Sequence, residues 1–351
     1  MTRKKIAVLF GGCSTEYEVS LQSAYAIIEH INKEFYEVLT IGVTKEGTWY
    51  LYRGAIDKII KNTWMNDKSC LPVIVSQNKC DHGIFILHPE HIEKLKIDAI
   101  FPVLHGKNGE DGTVQGLCEL AGIPIVGCNT LCSALCMDKN KAHLIVQSMG
   151  IEAPKSVTLK EFLEESLLYE KIKHLKMPLF IKPVKSGSSF GISRIQQKEE
   201  LLQAIELAFT HDDEVIIEEY IEGFEVGCAI FGNHNLTIGE VDEIELSQGF
   251  FDYKEKYTLE SSKIHMPARI SNNIANRIKK IACTIYKALG CSGFARVDMF
   301  LKADGTIVFN EVNTIPGFTT HSRYPNMLKG TGMKFEEIIE ELIRTAIDNE
   351  M

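Results

Sequence analysis

The hydrophobic positions near the amino end of the chain predict a buried strand followed by an amphipathic helix. The run IAVLF is apolar throughout, and beyond the polar GGCSTEYE the apolar positions Val19, Ala24, Ile27 and Ile28 recur with a period near 3.6. Further apolar runs, VLTIGV, DAIFPVLHG and IPIVG, alternate with the helical TVQGLCELAG. This alternation is typical of a parallel, doubly wound sheet with helices on its faces. We therefore expect a first α/β domain over residues 1–130.

Beyond residue 130 the pattern changes. MDKNKAHLIVQSMG has helical periodicity, and the apolar runs HLKMPLFIKPV and DEVIIEEYI predict strands on either side of the Gly/Ser-rich VKSGSSFG. A second, smaller α+β domain is expected over residues 131–222. The strands EVGCAIFG and LTIGEVDEI begin a third domain over residues 223–351, and the long polar stretch at residues 242–268 predicts a lid loop.

The segment FARVDMFLKADGTIVFNEVN predicts a β-hairpin. Both halves alternate apolar and polar positions, and Asp304-Gly305 is a strong signal for a two-residue turn. In such a turn residue 303 faces residue 306, so the cross-strand partners can be counted inward from it.

That count places Asp298 opposite Glu311 and Arg296 opposite Asn313. Two carboxylates about 5 Å apart on one face of a sheet repel each other unless something lies between them. Carboxylate and amide oxygens are ligands that Mg²⁺ prefers, so a metal site is predicted here. Arg296 beside the ion would stabilise developing negative charge. The alternative is a solvated outer face, where such acids cost little.

Composition and charge exclude several classes of protein. The net charge is −9 with dispersed Lys and Arg, which argues against nucleic acid or an anionic membrane as the main partner. The amino-terminal apolar run is too short for a signal peptide or a membrane span, so a cytoplasmic protein is expected. Cys128, Cys132 and Cys136 have helical i, i+4 spacing without paired CxxC ligands, which favours buried free thiols.

A candidate phosphate site follows the strand that ends at Lys182. The next residues, VKSGSSFG, combine a lysine with flexible backbone amides suited to phosphate oxygens. The segment matches neither GxxxxGK[ST] nor GxGxxG, which argues against P-loop and nicotinamide-binding proteins.

Eight polar and glycine-containing segments follow one another along nearly the whole chain: GGCSTEYEVS, LHGKNGEDG, MDKNKAH, IKPVKSGSSFGIS, IIEEYIEGFE, FDYKEKY, GFARVDMF and NEVNTIPGFTTHS. Taken together, in this order, they resemble the D-alanine:D-alanine ligase family. The resemblance implies an ATP-grasp fold, in which a Rossmann-like domain precedes two α+β domains that hold ATP between them. It also implies two Mg²⁺ ions, with Mn²⁺ as an alternative, and a homodimer that joins two D-configured substrates for peptidoglycan synthesis.

The resemblance implies roles for residues at matching positions. Those implied to bind ATP are Lys139, Lys182, Ser189, Glu218, Glu225 and Lys256. Asp298, Glu311 and Asn313 become the metal ligands in this comparison. Ser188 and Tyr257 are implied to link Glu16 to the lid and to latch it closed.

The implied reaction has two steps. Glu16 holds the ammonium of the first D-alanine with His105 beside it, although His105 taken alone also fits a structural histidine. The carboxylate of that substrate attacks the γ-phosphate of ATP and forms an acyl phosphate. The amine of the second substrate then attacks the acyl carbon, and Arg296 with the amide of Gly317 stabilises the oxyanion.

The second substrate is implied by Ser322 and its neighbour. Ser322 is expected to hold the substrate carboxylate, and Arg323 within SRYP resembles the ligases of glycopeptide resistance, since housekeeping ligases have an apolar residue there. A guanidinium offers fixed donors that a substrate hydroxyl would engage. Lys256-Tyr257 resembles the peptide-forming ligases rather than those that use lactate. D-serine is therefore the expected second substrate, for precursors with lowered vancomycin affinity.

Other interpretations stay open. Arg323 also fits a surface ion pair, and the enzyme also fits a housekeeping D-alanine:D-alanine ligase. An ATP-grasp ligase with an unrelated substrate would differ around Glu16, His105 and Ser322. A non-catalytic nucleotide-binding protein on the same scaffold is a further alternative.

Overall fold

The computed structural model describes residues 2–187, 190–246 and 262–348. Most of the predicted lid loop lies outside the described residues, and so do four predicted site residues: Ser188, Ser189, Lys256 and Tyr257. Within the described ranges, no helix is long and apolar enough to cross a membrane.

Three β-sheets organise the chain, with seven, four and five strands. Their strands are β1 (Lys4–Gly11), β2 (Tyr36–Val43), β3 (Trp49–Tyr52), β4 (Leu71–Val75), β5 (Gly83–Leu87), β6 (Ile92–Lys96), β7 (Ala99–Pro102), β8 (Ser156–Leu159), β9 (Leu179–Pro183), β10 (Ser193–Ile195), β11 (Val215–Glu219), β12 (Phe224–Phe231), β13 (Thr237–Leu246), β14 (Ser262–His265), β15 (Phe294–Leu301) and β16 (Ile307–Asn313). The strand orders are β6-β5-β4-β3-β2-β1-β7, β10-β9-β11-β8 and β14-β13-β12-β15-β16.

The helices lie between and after these strands. They are α1 (Tyr17–His30), α2 (Asp57–Ile60), α3 (Thr113–Ala121), α4 (Thr130–Met137), α5 (Lys139–Ser148), α6 (Glu165–Ile172), α7 (Leu201–Phe209), α8 (Asn272–Ala288), α9 (Arg323–Lys329) and α10 (Phe335–Asp348), with short 3₁₀ turns at Trp64–Asn66 and Lys198–Glu200.

The seven-stranded sheet is parallel at its centre, where β1 pairs with β2 and β7. Because successive side chains of a strand point to opposite faces, β1 contributes to two cores. Ile6, Val8 and Phe10 pack with α1 and α10, whereas Ala7 and Leu9 pack with α3. Helices therefore cover both faces, as the alternating pattern predicted.

Two features of this sheet were not predicted. Strands β3 to β6 extend it in antiparallel pairing, and IPIVG contributes only one parallel bridge, between Ile100 and Ile125. Helix α10 comes from the carboxyl end of the chain yet packs against this sheet, and Tyr36 donates a 2.8 Å hydrogen bond to Glu340. The division into three domains stays a prediction.

The turn of the β15–β16 hairpin differs from the prediction. The N–H of Lys302 donates to the carbonyl of Thr306, and the N–H of Gly305 donates to the carbonyl of Lys302, each at 2.9 Å. The loop thus has three residues, 303–305, rather than two. Gly305 has a φ of +83°, the left-handed conformation that ends a three-residue hairpin loop.

A bulge restores the predicted register at the site. Met299 faces Phe309, and the register then shifts so that Asp298 faces Glu311. Asn310 is the additional residue on the second strand. The predicted pairing of the two acids is therefore confirmed, although the turn that led to it was wrong by one residue.

Candidate active site

One cavity of ≈ 600 Å³ brings together most of the predicted site residues. Those that line it are Glu16, His105, Lys139, Glu225, Arg296, Asp298, Glu311, Asn313, Gly317, Ser322 and Arg323. They come from loops after β1, β7 and β16, from the start of α5 and α9, and from β12, β15 and β16. Lys182 and Glu218 do not line this cavity.

Glu16 lies where two glycine-containing loops meet. It directly precedes α1 and is nearly buried. A Cβ atom on Gly106 would come within 2.9 Å of Glu16 Oε2, and one on Gly187 within 2.8 Å. Larger residues at these positions would push the loops away from the carboxylate. The Gly/Ser-rich segment and the loop after β7 therefore both reach the Glu16 carboxylate.

His105 anchors the loop that contains Gly317. Its Nδ1 lies 2.8 Å from the carbonyl oxygen of Ile315, and its Nε2 lies 3.4 Å from Ser23 Oγ, which accepts the N–H of Phe318 at 3.1 Å. Burial lowers the pKa of His105 although Glu16 opposes this shift. The neutral imidazole therefore donates from Nδ1 to Ile315 and accepts at Nε2 from Ser23.

Glu110 is a site residue that the sequence analysis did not assign. One carboxyl oxygen accepts the N–H of Ile315 at 3.0 Å, and the other accepts the N–H of Gly106 at 2.9 Å. Burial, together with the nearby charge of Glu16, raises the pKa of Glu110 to about 8. Glu110 and His105 thus hold both peptide groups of Ile315. The glutamate of GEDG, within LHGKNGEDG, was the signal in the sequence that could have identified it.

The predicted metal ligands lie on one face of the β15–β16 hairpin. Asp298 receives hydrogen bonds from Arg296, with Nε 2.8 Å from Oδ1 and Nη2 2.6 Å from Oδ2, and from Asn313 Nδ2 at 2.8 Å. Burial works against the charge of Arg296, but the nearby carboxylates of Asp298 and Asp242 together raise the pKa of the guanidinium above its usual value. The oxygen donors fit Mg²⁺ by type. Asn313 would have to turn its amide oxygen toward the ion.

Arg323 belongs to a buried network of acids. Its Nε and Nη2 donate to the two carboxylate oxygens of Asp242 at 2.7 and 2.8 Å, its Nη1 donates to Glu225 at 2.7 Å, and Asp298 lies 3.5 Å away. Burial opposes its charge, but Asp242 and Asp298 together raise the pKa well above the usual value. The alternative of a surface ion pair is wrong, because the side chain is only 8% exposed.

Lys182 and Glu218, both expected to bind ATP, form a salt bridge with each other. Lys182 Nζ lies 2.6 Å from Glu218 Oε2, and Nδ1 of His143 lies 3.6 Å from the other carboxylate oxygen. Burial alone would raise the pKa of Glu218, but the charges of Lys182 and His143 lower it. Lys139 donates instead to the carbonyl of Ser186 at 2.7 Å. The roles of these residues toward ATP stay predictions.

Two protein-family models match most of the chain. The family model described as the D-ala D-ala ligase N-terminus matches residues 5–128, and that of the D-ala D-ala ligase C-terminus matches residues 145–344. Vancomycin B-type resistance protein VanB of Enterococcus faecalis is 43% identical over 99% of this chain and 100% of its own length. D-alanine–D-alanine ligase B of Clostridium tetani is 42% identical over 99% of this chain and 95% of its own.

A solved structure gives a close match as well. The crystal structure of VanG D-Ala:D-Ser ligase from Enterococcus faecalis has a TM-score of 0.92 and 60% identity, and the match covers 98% of this chain and 100% of that chain. With matches to both family models and to relatives of nearly equal length, the chain has the ATP-grasp fold and belongs to the D-alanine–D-alanine ligase family of ATP-dependent ligases.

Proposed function

We propose that this ligase joins D-alanine to D-serine, with ATP and Mg²⁺, for peptidoglycan precursors with lowered vancomycin affinity. The observation that carries the proposal is the guanidinium of Arg323, fixed by Asp242 and Glu225 at the wall of the cavity that also contains Ser322. The 60% identity to a structure titled as a D-Ala:D-Ser ligase supports it. A D-alanine:D-alanine ligase is the second candidate, favoured by the 42% identical relative of that name.

D-serine and D-alanine would place different groups against Arg323. A guanidinium has five N–H groups, and within the described part of the chain three of its nitrogens donate hydrogen bonds to Asp242 and Glu225. A substrate hydroxyl would accept from a further N–H at this wall. A methyl group would cover the same donors and give them no partner, which costs about 1–3 kcal/mol for a buried polar group. A fixed polar wall therefore favours D-serine.

The rest of the cavity supports a two-step ligation. Glu16 would hold the ammonium of D-alanine, so that its carboxylate reaches the γ-phosphate of ATP. Mg²⁺, held by Asp298, Glu311 and Asn313, would neutralise phosphate charge. Arg296 and the amide of Gly317 would stabilise the oxyanion that forms when the second amine attacks. ATP would lie between the second and third domains, beside Lys139, Lys182, Glu218 and Glu225, and the enzyme would act as a homodimer.

Product identification tests the proposal. The full chain is incubated with ATP, Mg²⁺ and D-alanine, with or without D-serine. The products are then separated and identified by mass spectrometry. We expect D-alanyl-D-serine to dominate when both substrates are present. Formation of D-alanyl-D-alanine alone, in excess D-serine, would overturn the D-serine assignment and leave the second candidate.

Two variants test which residue sets the preference between D-serine and D-alanine. Arg323→Leu should shift the ratio of kcat/KM values from D-serine toward D-alanine, because the polar wall becomes apolar. Ser322→Ala should weaken the binding of D-serine and D-alanine equally, because both present the same carboxylate to Ser322. An unchanged ratio of kcat/KM values in Arg323→Leu would show that Arg323 does not contact the second substrate.

A further inference from the structure

Four buried cysteine thiols from two distant segments meet beside the cavity. Cys132 Sγ lies 3.5 Å from Cys291 Sγ and 3.7 Å from Cys136 Sγ. The sulfur atoms of Cys128, Cys132 and Cys291 all lie within 4.8 Å of one another. Cys132 and Cys136 are on α4 and Cys128 just precedes it, whereas Cys291 lies between α8 and β15. The expectation of buried free thiols is confirmed, but the fourth thiol was not anticipated.

Two of the separations are close to those of a thiolate metal centre. A Zn–S bond is about 2.3 Å, so two sulfurs of a tetrahedral site are about 3.8 Å apart. The two shortest separations, 3.5 and 3.7 Å, are close to that value. We propose that Cys128, Cys132 and Cys291 bind a thiophilic cation, Zn²⁺. Cys136 Sγ lies 3.7 Å from Cys132 Sγ but not within 4.8 Å of all three sulfurs, so it would have to shift toward them to become the fourth ligand.

The cavity supplies a path to the thiol cluster, and ligand chemistry distinguishes this site from the predicted Mg²⁺ site. Cys136 lines the cavity, so an ion can reach the cluster from there. The thiolates are soft ligands that favour Zn²⁺, whereas the carboxylate and amide oxygens of Asp298, Glu311 and Asn313 are hard ligands that favour Mg²⁺. Two chemically different cation sites would therefore share one cavity wall.

Binding must release protons. As a thiol, Cys128 donates to the carbonyl of Ser292 at 3.2 Å, and Cys132 donates to Cys291. The cation replaces these contacts with metal–sulfur bonds, and each ligating thiol loses its proton to solvent. The affinity should consequently increase with pH.

The bound ion would join two parts of the chain. Cys128 and Cys132 follow the seven-stranded sheet, and Cys291 precedes β15, which carries Arg296 and Asp298. The thiols take part in neither step of the proposed ligation, so the ion would stabilise the wall of the cavity. Its presence can be tested without reference to substrate.

Cobalt titration provides the test. The full chain is reduced, freed of metal with a chelator and titrated anaerobically with Co²⁺. We expect a sulfur-to-cobalt charge-transfer band that saturates at one ion per chain, disappears when one equivalent of Zn²⁺ is added, and accompanies proton release. Zn²⁺ should also raise the Tm.

Two variants remove proposed ligands, and three control variants test whether the cation binds instead to other thiols or to the carboxylate site. Cys132→Ser and Cys291→Ser should each lose the band and the Zn²⁺-dependent rise in Tm. Cys80→Ser, at an exposed site, Cys118→Ser, at a buried site outside the cluster, and Glu311→Gln should retain both.

Absence of a charge-transfer band in the wild-type chain overturns the proposal, whatever the variants do. So does a band of full intensity in either Cys132→Ser or Cys291→Ser. Since these two variants alter different segments, failure of one to fold leaves the other as the deciding measurement.

Discussion

Arg323 and Asp242 form a buried, two-pronged ion pair between α9 and β13. Nε donates to Oδ2 at 2.7 Å and Nη2 to Oδ1 at 2.8 Å, and Oδ1 also accepts the N–H of Gly227 at 2.9 Å. Asp242 is fully buried. Arg323, which the family resemblance implied to contact the second substrate, is thus held by the fold, and it also lines the cavity. We therefore expect a single substitution of Arg323 to change stability as well as specificity.

Arg323→Leu should destabilise the protein by about 3–5 kcal/mol, because it leaves the Asp242 carboxylate buried without its partner. The free energy of unfolding in urea measures this cost. The double variant Arg323→Leu/Asp242→Leu should be less destabilised than the sum of the two single variants, since neither charge remains. Simple additivity of the two costs would contradict a coupled pair.

Glu311→Gln tests the metal site more cleanly than a change at Asp298, because Asp298 also receives hydrogen bonds from Arg296 and Asn313. The Mg²⁺ concentration for half-maximal turnover should increase by roughly 100-fold. This is the upper end of the loss in metal affinity caused by substituting a residue that only hydrogen-bonds to a metal ligand. The exposed Glu206→Gln is the control and should leave this concentration unchanged. Turnover of Glu311→Gln with wild-type Mg²⁺ dependence would refute the site.

Ser23→Ala should slow turnover by loosening the loop that carries Gly317. The substitution removes the acceptor of the Phe318 N–H and the donor to His105, so we expect a loss of about 1–3 kcal/mol in stability and a lower kcat. Ser133→Ala is the matched control, because that buried hydroxyl has no hydrogen-bond partner among the described residues. Equal kinetics for the two variants would show that Ser23 does not position the loop.

Glu110 should make stability depend on pH. Its pKa is about 8 in the folded protein against 4.5 for the free group, so the folded state holds a proton that the unfolded chain loses in this interval. The stability that this group contributes is complete below pH 4.5 and declines as the pH rises toward about 8.

The measurement is the Tm of the wild type minus that of Glu110→Gln, which lacks the titrating proton. This difference should fall from about pH 5 to about pH 8. Glu161→Gln, at an exposed position, should show no such trend. A flat difference for Glu110→Gln would mean that the carboxyl titrates alike in both states.

Local patterns in the sequence were sufficient to bring together one part of the site, the face of the β15–β16 hairpin. The alternation in FARVDMF and TIVFNEVN predicted two strands, and cross-strand pairing then placed Asp298 opposite Glu311. The bulge at Asn310 has no such signal, because an additional residue in one strand changes the register without changing the alternation on either side of it. The turn was therefore misassigned by one residue while the pairing at the site was correct.

Some contacts exist only because of tertiary packing. Asp242 and Arg323 are 81 residues apart, Ser23 and Phe318 are 295 apart, and Cys132 and Cys291 are 159 apart. Periodicity along the sequence determined which face of each strand or helix is apolar, since that depends on neighbours within a few residues. Which buried charge, hydroxyl or thiol meets which partner was decided by the packing of whole sheets and helices, because a buried polar group is stable only beside a partner that packing brings to it.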